Sequence, residues 1–232
     1  MNTQTGNAVI VAHGSPSDPE PQERDLQHLA TKVAAALPGW QVRGATLAAP
    51  GAFDSAISDL NSPLIYPYFM AEGYFTGRVL APKTKALGLT QMRPFGVEPR
   101  LIDAAETELN HVLQHHDWNV KDTALLVAAH GSAVSRTSAN STYAIADALQ
   151  QRLQFREMRC GFIEEPPFVA EQAKELGQAI CLPFFALNAG HMLDDMPAAL
   201  SEAEFTGASL PAMIDWDSTP ALIADSLKRA LS

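Results

Sequence analysis

The sequence predicts an α/β fold of two similar doubly wound lobes, each with a central four-stranded parallel sheet flanked by helices. Three observations predict it. Short apolar runs alternate with amphipathic stretches. The same succession starts again halfway along the 232 residues, and equivalent positions keep a constant offset: His13 to His130 and Gly73 to Gly190 are both 117 residues apart. Parallel strands buried on both faces read as unbroken apolar runs and need helical crossovers, so this order places helices on both faces of each sheet.

The elements follow in order. Ala8 to Ala12 (AVIVA) is a buried strand that stops at His13-Gly14-Ser15. After the proline-rich stretch Pro16 to Pro21, a helix carries Leu26, Leu29, Val33 and Leu37 inward. A strand over Gln41 to Leu47 leads through Pro50 to a helix with Phe53, Ile57 and Leu60, and the third strand, Leu64 to Phe69, opens a glycine-containing loop at Glu72 to Gly77. Phe95 to Glu98 is the expected fourth strand, and Leu101, Ala105, Leu109 and Val112 mark a closing helix. The pattern restarts at Ala124 to Ala129 (ALLVAA), followed by His130-Gly131-Ser132 and a helix near Ala139 to Leu153. A strand near Met158 to Ile163, a helix near Phe168 to Leu176 and a strand from Ala179 to Phe185 come next. The segment Met192 to Leu200, a strand at Leu210 to Ile214 and a helix from Pro220 to Leu231 complete the second half. The polar stretch His115 to Asp122 is the seam, giving lobes 1–116 and 123–232 that face each other across a cleft, with ligands expected at the carboxyl ends of the strands.

Composition narrows the function. Sixteen Lys and Arg against 26 Asp and Glu give a formal charge of −10, which disfavours nucleic acid and anionic lipid, both of which need clustered cations. Any anionic ligand must be held by a local patch. Cys160 and Cys181 form no C-x-x-C pair and read as small buried residues, which suits a reducing cytoplasm. The polar Met1 to Asn7 lacks a signal-peptide pattern, and no apolar run approaches the roughly 18 residues of a membrane span, so a cytoplasmic protein is expected.

At the strand ends the first half offers His13, Leu47 and the loop Glu72 to Tyr74; the second offers His130, Glu164 with Glu165, and Asn188 to His191. Imidazole and carboxylate are ligands for borderline divalent metals, and the same groups take up protons, so the second half reads as either a metal site or an acid–base site. Three groups from three loops leave coordination positions open. His13 is either an inward-facing helper or a histidine that only caps its loop. His115 and His116, adjacent on one helix, do not share a face, and His28 and His111 lie within helices; none is assigned a function.

The strings VAHGS at Val11 to Ser15 and AAHGS at Ala128 to Ser132, with GFIE at Gly161 to Glu164 and GHMLDDMP at Gly190 to Pro197, resemble the sirohydrochlorin chelatases of the CbiX/SirB family. These are class II tetrapyrrole chelatases with a ferrochelatase-like fold, and the repeat makes this sequence similar to the long members that fuse two lobes. The resemblance implies insertion of Co²⁺, Fe²⁺ or Ni²⁺, as substrate and with no organic cofactor, into sirohydrochlorin, a precursor bearing eight carboxylates, in cobalamin or siroheme biosynthesis. It also implies His130, His191 and Glu164 as metal ligands and proton acceptors. The expected state is a monomer of two fused lobes or a weak homo-oligomer.

The first half departs from the pattern. The glutamate position falls on Leu47 and the G-x-H histidine on Tyr74, so a complete set exists only in the second half. Glu165 stands directly beside Glu164, and alternation along a strand sends neighbours to opposite faces; Glu164 keeps the family position after its F-[IL] pair. Cations for a polycarboxylate are sought in Arg136, Arg78, Lys83 and Lys85, while Ser132 with neighbouring N–H groups and His13 complete the expected tetrapyrrole contacts. Ser132 and Ser135 are also candidate N-caps, and Asp195 a candidate to orient His191. A non-catalytic protein that stores or delivers metal or tetrapyrrole is the alternative. A phosphate-handling enzyme is disfavoured by the lack of an R-H-G triplet or a G-x-x-x-x-G-K run.

Overall fold

The computed structural model describes residues 5–132 and 137–231, which fall into two compact units. The first consists of the described residues of Met1–Glu98 and Asp217–Ser232. Its sheet has the parallel order β2-β1-β3, from β1 (Asn7–Ala12), β2 (Gln41–Thr46) and β3 (Leu64–Pro67). Val9, Ile10 and Val11 of the central strand are inaccessible to solvent, as expected where helices cover both faces. Helix α1 (Glu20–Ala35) buries Leu26, Leu29, Ala30 and Val33 and lies close to β2 because Gly44 has no side chain. A Cβ at Gly44 would stand 2.4 Å from the Leu26 carbonyl oxygen. After α2 (Ala52–Ile57) and β3, a π-helical turn at Phe75–Leu80 runs into α3 (Ala81–Ala86).

The second unit is Pro99–Trp216. It contains α4 (Leu101–His115), β4 (Ala124–Ala129), α5 (Thr137–Leu153), β5 (Glu157–Phe162), α6 (Val169–Gln172) and β6 (Ala179–Pro183). A π-helical turn at His191–Asp195, α7 (Met196–Glu202) and β7 (Ala208–Ser209) follow. The sheet order is β5-β4-β6-β7, all parallel. Leu126, Ala128 and Cys181 pack with Val169, Phe185 and Met196 in its core.

Two expectations are corrected. Phe95 to Glu98 is not a strand: Phe95–Val97 is a 3₁₀ turn with Phe95 fully buried, and the first sheet has three strands among the described residues. The fourth position is held only by a bridge between Ile65 and Gln91. Likewise Met213–Asp215 is a 3₁₀ turn, and the fourth strand of the second sheet is the short β7 just before it. In both units the most apolar residues near the sheet edge plug the core instead of pairing along it. The compact units divide the chain differently from the sequence halves 1–116 and 123–232. Helix α4 falls in the second unit, and the last helix, α8 (Thr219–Ala230), falls in the first. An apolar stripe specifies that a helix must be covered, not which sheet it joins. Helix α8 is clasped in its unit by Glu98, whose carboxylate accepts from Ser226 Oγ and from the Arg229 guanidinium, both at 2.5 Å.

Candidate metal centre

The carboxyl end of β4 carries His130, and the glycine after it turns the chain. Gly131 has φ +74°, a conformation that side chains resist, and a Cβ there would also meet Phe162 Cβ and Glu165 Cγ at 2.9 Å. The His130 carbonyl accepts from the N–H groups of Ile163 (3.2 Å) and Glu164 (2.9 Å), so the chain leaving β5 is tied beside His130. That tie brings Glu164 Oε2 to 3.5 Å from His130 Nδ1. On the other side of β4, the loop after β6 ends at Gly190, and the π-helical turn then presents His191. The two imidazole rings lie edge to face with centroids 4.1 Å apart. One ligand atom from each of His130, Glu164 and His191 lies within 4.8 Å of the others, a group with the spacing of a divalent-metal site.

The ring nitrogens have distinct surroundings. His130 Nδ1 is 3.1 Å from the Gly131 carbonyl oxygen, which can only accept, so Nδ1 carries the proton there and Nε2 keeps its lone pair. His191 Nδ1 donates to Asp195 Oδ2 at 2.6 Å and likewise leaves Nε2 free to bind. The side chains of His130 and His191 are each 40% exposed and that of Glu164 is 45% exposed, so the group sits on a rim where a second ligand can approach an ion.

Glu165, the rival of Glu164, points elsewhere: its Oε1 accepts the Ser132 backbone N–H at 2.8 Å and pins the His-Gly-Ser loop. The Ser132 N–H expected for a ligand carboxylate is therefore engaged within the protein. Arg136 and Ser135 lie outside the described residues. Cys160 and Cys181 are buried free thiols, and burial pushes both up to about 12, which suppresses thiolate chemistry. His116 stacks on Trp118 at 4.5 Å and meets His115 edge to face at 5.0 Å; neither joins the ligand group.

In the first unit the equivalent rim is aromatic. Gly14 makes the same left-handed turn, with φ +76°, but His13 stacks on Phe75 with centroids 3.9 Å apart. Its Nδ1 is buried without a hydrogen-bond partner, and burial lowers its pKa. Leu47 packs on the core cluster, and Tyr74 is 68% exposed. His13 therefore has no ligand partners around it among the described residues. What residue types alone missed is the π-helical turn, which sets the His191–Asp195 pair, and the Phe75 ring over His13; the only sequence cue was the repeated glycine offset.

The division of labour between the adjacent glutamates is measurable. Glu164→Ala is expected to weaken Co²⁺ binding by about a hundredfold, and Glu165→Ala, acting only through the loop, by about tenfold, in calorimetric titrations. Equal losses would show that the two carboxylates share one task.

Comparison with known proteins gives consistent matches. The CbiX family model matches residues 124–215. A probable sirohydrochlorin cobaltochelatase of Halobacterium salinarum is 25% identical over 220 residues, 82% of this chain and 74% of that protein. The solved structure of CbiX, described as the terminal enzyme for biosynthesis of siroheme in denitrifying bacteria, is 45% identical and superposes with a TM-score of 0.88 over 97% of this chain and 100% of its own. SirB from Bacillus subtilis, solved with Fe³⁺, shares the fold at 12% identity, with a TM-score of 0.75 over 97% of this chain and 95% of its own.

Proposed function

Because the chain belongs to the CbiX family of sirohydrochlorin chelatases, we propose that it inserts Fe²⁺ into sirohydrochlorin, with His130, His191 and Glu164 as the groups that hold the ion and receive the displaced protons. The observation that carries this reading is the three-residue ligand group at adjacent strand ends of the second unit. Iron is favoured because the 45%-identical relative is described as an enzyme of siroheme biosynthesis, and siroheme is an iron tetrapyrrole. Cobalt is the second reading, favoured by the relative described as a cobaltochelatase.

Insertion exchanges one divalent ion for two pyrrole protons. Neutral imidazole Nε2 atoms and one carboxylate hold such an ion without enclosing it, so it can be handed to a stronger, four-nitrogen chelator. Once the ion leaves, each Nε2 lone pair can accept a pyrrole proton. Asp195 stabilises the imidazolium formed at His191 through their 2.6 Å hydrogen bond, and Glu164, 3.5 Å from His130, does the same for its neighbour. Both protonated rings open to solvent, which lets the protons depart.

Sirohydrochlorin incubated anaerobically with Fe²⁺, Co²⁺ or Ni²⁺ and the purified chain tests the proposal by tetrapyrrole absorbance. Accelerated insertion is expected, with the highest kcat/KM for Fe²⁺; preference for Co²⁺ would select the second reading. Metal and tetrapyrrole binding with no acceleration would make the chain a storage or delivery protein.

A further inference from the structure

The two units carry opposite charge at the same place in the repeat. Residues 72–93 of the first unit contain Arg78, Lys83, Lys85 and Arg93 against the single carboxylate of Glu72. The segment 117 positions later, 189–210, contains Asp194, Asp195, Glu202 and Glu204 and no Lys or Arg. This is a local inversion within a chain of formal charge −10. It extends to the chemistry of single positions. His191 and Asp195, which pair across one turn of the second π-helical segment, correspond by the same offset to Tyr74 and Arg78, on and just before the first π-helical segment.

The metal-holding set is thus replaced by an aromatic ring and a guanidinium on one turn. Both are exposed. Behind them the Phe75 ring lies over His13 at 3.9 Å with a tilt of 30°, lies 16° from the plane of Phe69 at 6.3 Å, and meets Tyr74 edge to face at 5.5 Å. A ladder of rings bordered by an exposed guanidinium matches a flat conjugated ligand with carboxylates on its periphery. Apolar faces stack on aromatic rings, and guanidinium takes a carboxylate through two parallel hydrogen bonds.

We infer that the first unit has become the tetrapyrrole-recognition half, with Tyr74 and Arg78 as binding residues for the macrocycle and one of its carboxylates, while the second unit keeps the metal. The inference rests on the chelatase reading given above. The acidic segment 189–210 of one unit favours divalent cations, and the basic segment 72–93 of the other, in which Arg93 pairs with Glu72, favours polycarboxylates. A single chain of net negative charge thereby gathers two substrates of opposite sign.

Binding of metal-free sirohydrochlorin by absorbance titration, alongside Co²⁺ binding by calorimetry, separates the two roles in the full chain. Arg78→Glu is expected to raise the tetrapyrrole Kd and the KM about tenfold, and Tyr74→Ala several-fold, with Co²⁺ affinity within about twofold of wild type. His191→Ala is expected to do the reverse. High salt should weaken tetrapyrrole binding by wild type more than by Arg78→Glu. Should Arg78→Glu fail to fold, Arg78→Gln and a comparison of uroporphyrin with coproporphyrin, eight carboxylates against four, replace it; the Gln variant should narrow the preference for the more carboxylated ring. Unchanged tetrapyrrole Kd in both Tyr74→Ala and the Arg78 variant, in a wild type that inserts metal, would overturn the inference and leave the chelatase reading intact. A wild type that inserts no metal yet loses tetrapyrrole affinity in these variants would overturn the chelatase reading alone.

Discussion

Metal insertion by His191→Ala is expected to fall on the order of 10³-fold in kcat/KM, and by His130→Ala to a similar extent. On the proposed reading each ring would provide a ligand atom and a proton acceptor, so its removal would cost both ion positioning and base catalysis. The rings are 4.1 Å apart and are proposed to serve the same ion, so the double variant should lose little beyond either single one. His13→Ala supplies the contrast: it removes a ring stacked on Phe75 with no ligand partner beside it, and its rate should stay within about threefold of wild type. The measurement is the initial rate of the tetrapyrrole absorbance change at saturating and limiting metal. Loss of activity in His13→Ala with retention in His191→Ala would move the reactive centre to the first unit.

Gly96→Ala is expected to destabilise the first unit by about 3 kcal/mol. A Cβ at this position would lie 2.0 Å from the Met70 carbonyl oxygen and 2.4 Å from Met70 Cα, so backbone must move. The Gly96 N–H donates to the Phe69 carbonyl at 2.9 Å, and the neighbouring Phe95 is fully buried against Tyr68, so the segment has no free direction in which to shift. In differential scanning calorimetry the transition should drop by roughly 10 °C. Gly77→Ala, where a Cβ would meet nothing within 4 Å, should leave it unchanged or slightly raised. A Gly96→Ala chain as stable as wild type would mean that the 95–97 turn adjusts freely.

The succession of the main strands and the grouping of His130, Glu164 and His191 are legible in the sequence for the same reason. Apolar runs such as ALLVAA have no other use than a strand buried on both faces, and the residues directly after them fall at the carboxyl end of the sheet. His130, Glu164 and His191 could therefore be grouped before any geometry was known. The fourth strands were misplaced because apolarity reports burial and not pairing: Phe95 and Met213 are both fully buried, yet they lie in 3₁₀ turns. Gln91, which does bridge to the sheet, is polar and carries no strand signature. Alternation separates Glu164 from Glu165, and the position after the F-[IL] pair selects Glu164. Geometry adds the reason, since the Ser132 N–H needs an acceptor and Glu165 supplies it. The π-helical turns escaped notice because an inserted residue in a helix leaves no compositional trace.

The division of the helices bears on how such a chain can be dismantled. Backbone passes between the units at residues 98–99 and again at 216–217, so the first unit is completed by a C-terminal segment while the second is one continuous stretch. Scission at the repeat boundary would then free two fragments that are each incomplete: 1–116 would carry α4 with its apolar stripe of Leu101, Ala105 and Leu109 bare, and 123–232 would carry α8 with Leu222, Ile223 and Leu227 uncovered. Each half cut at the repeat boundary would therefore expose one apolar helix face that the intact chain covers.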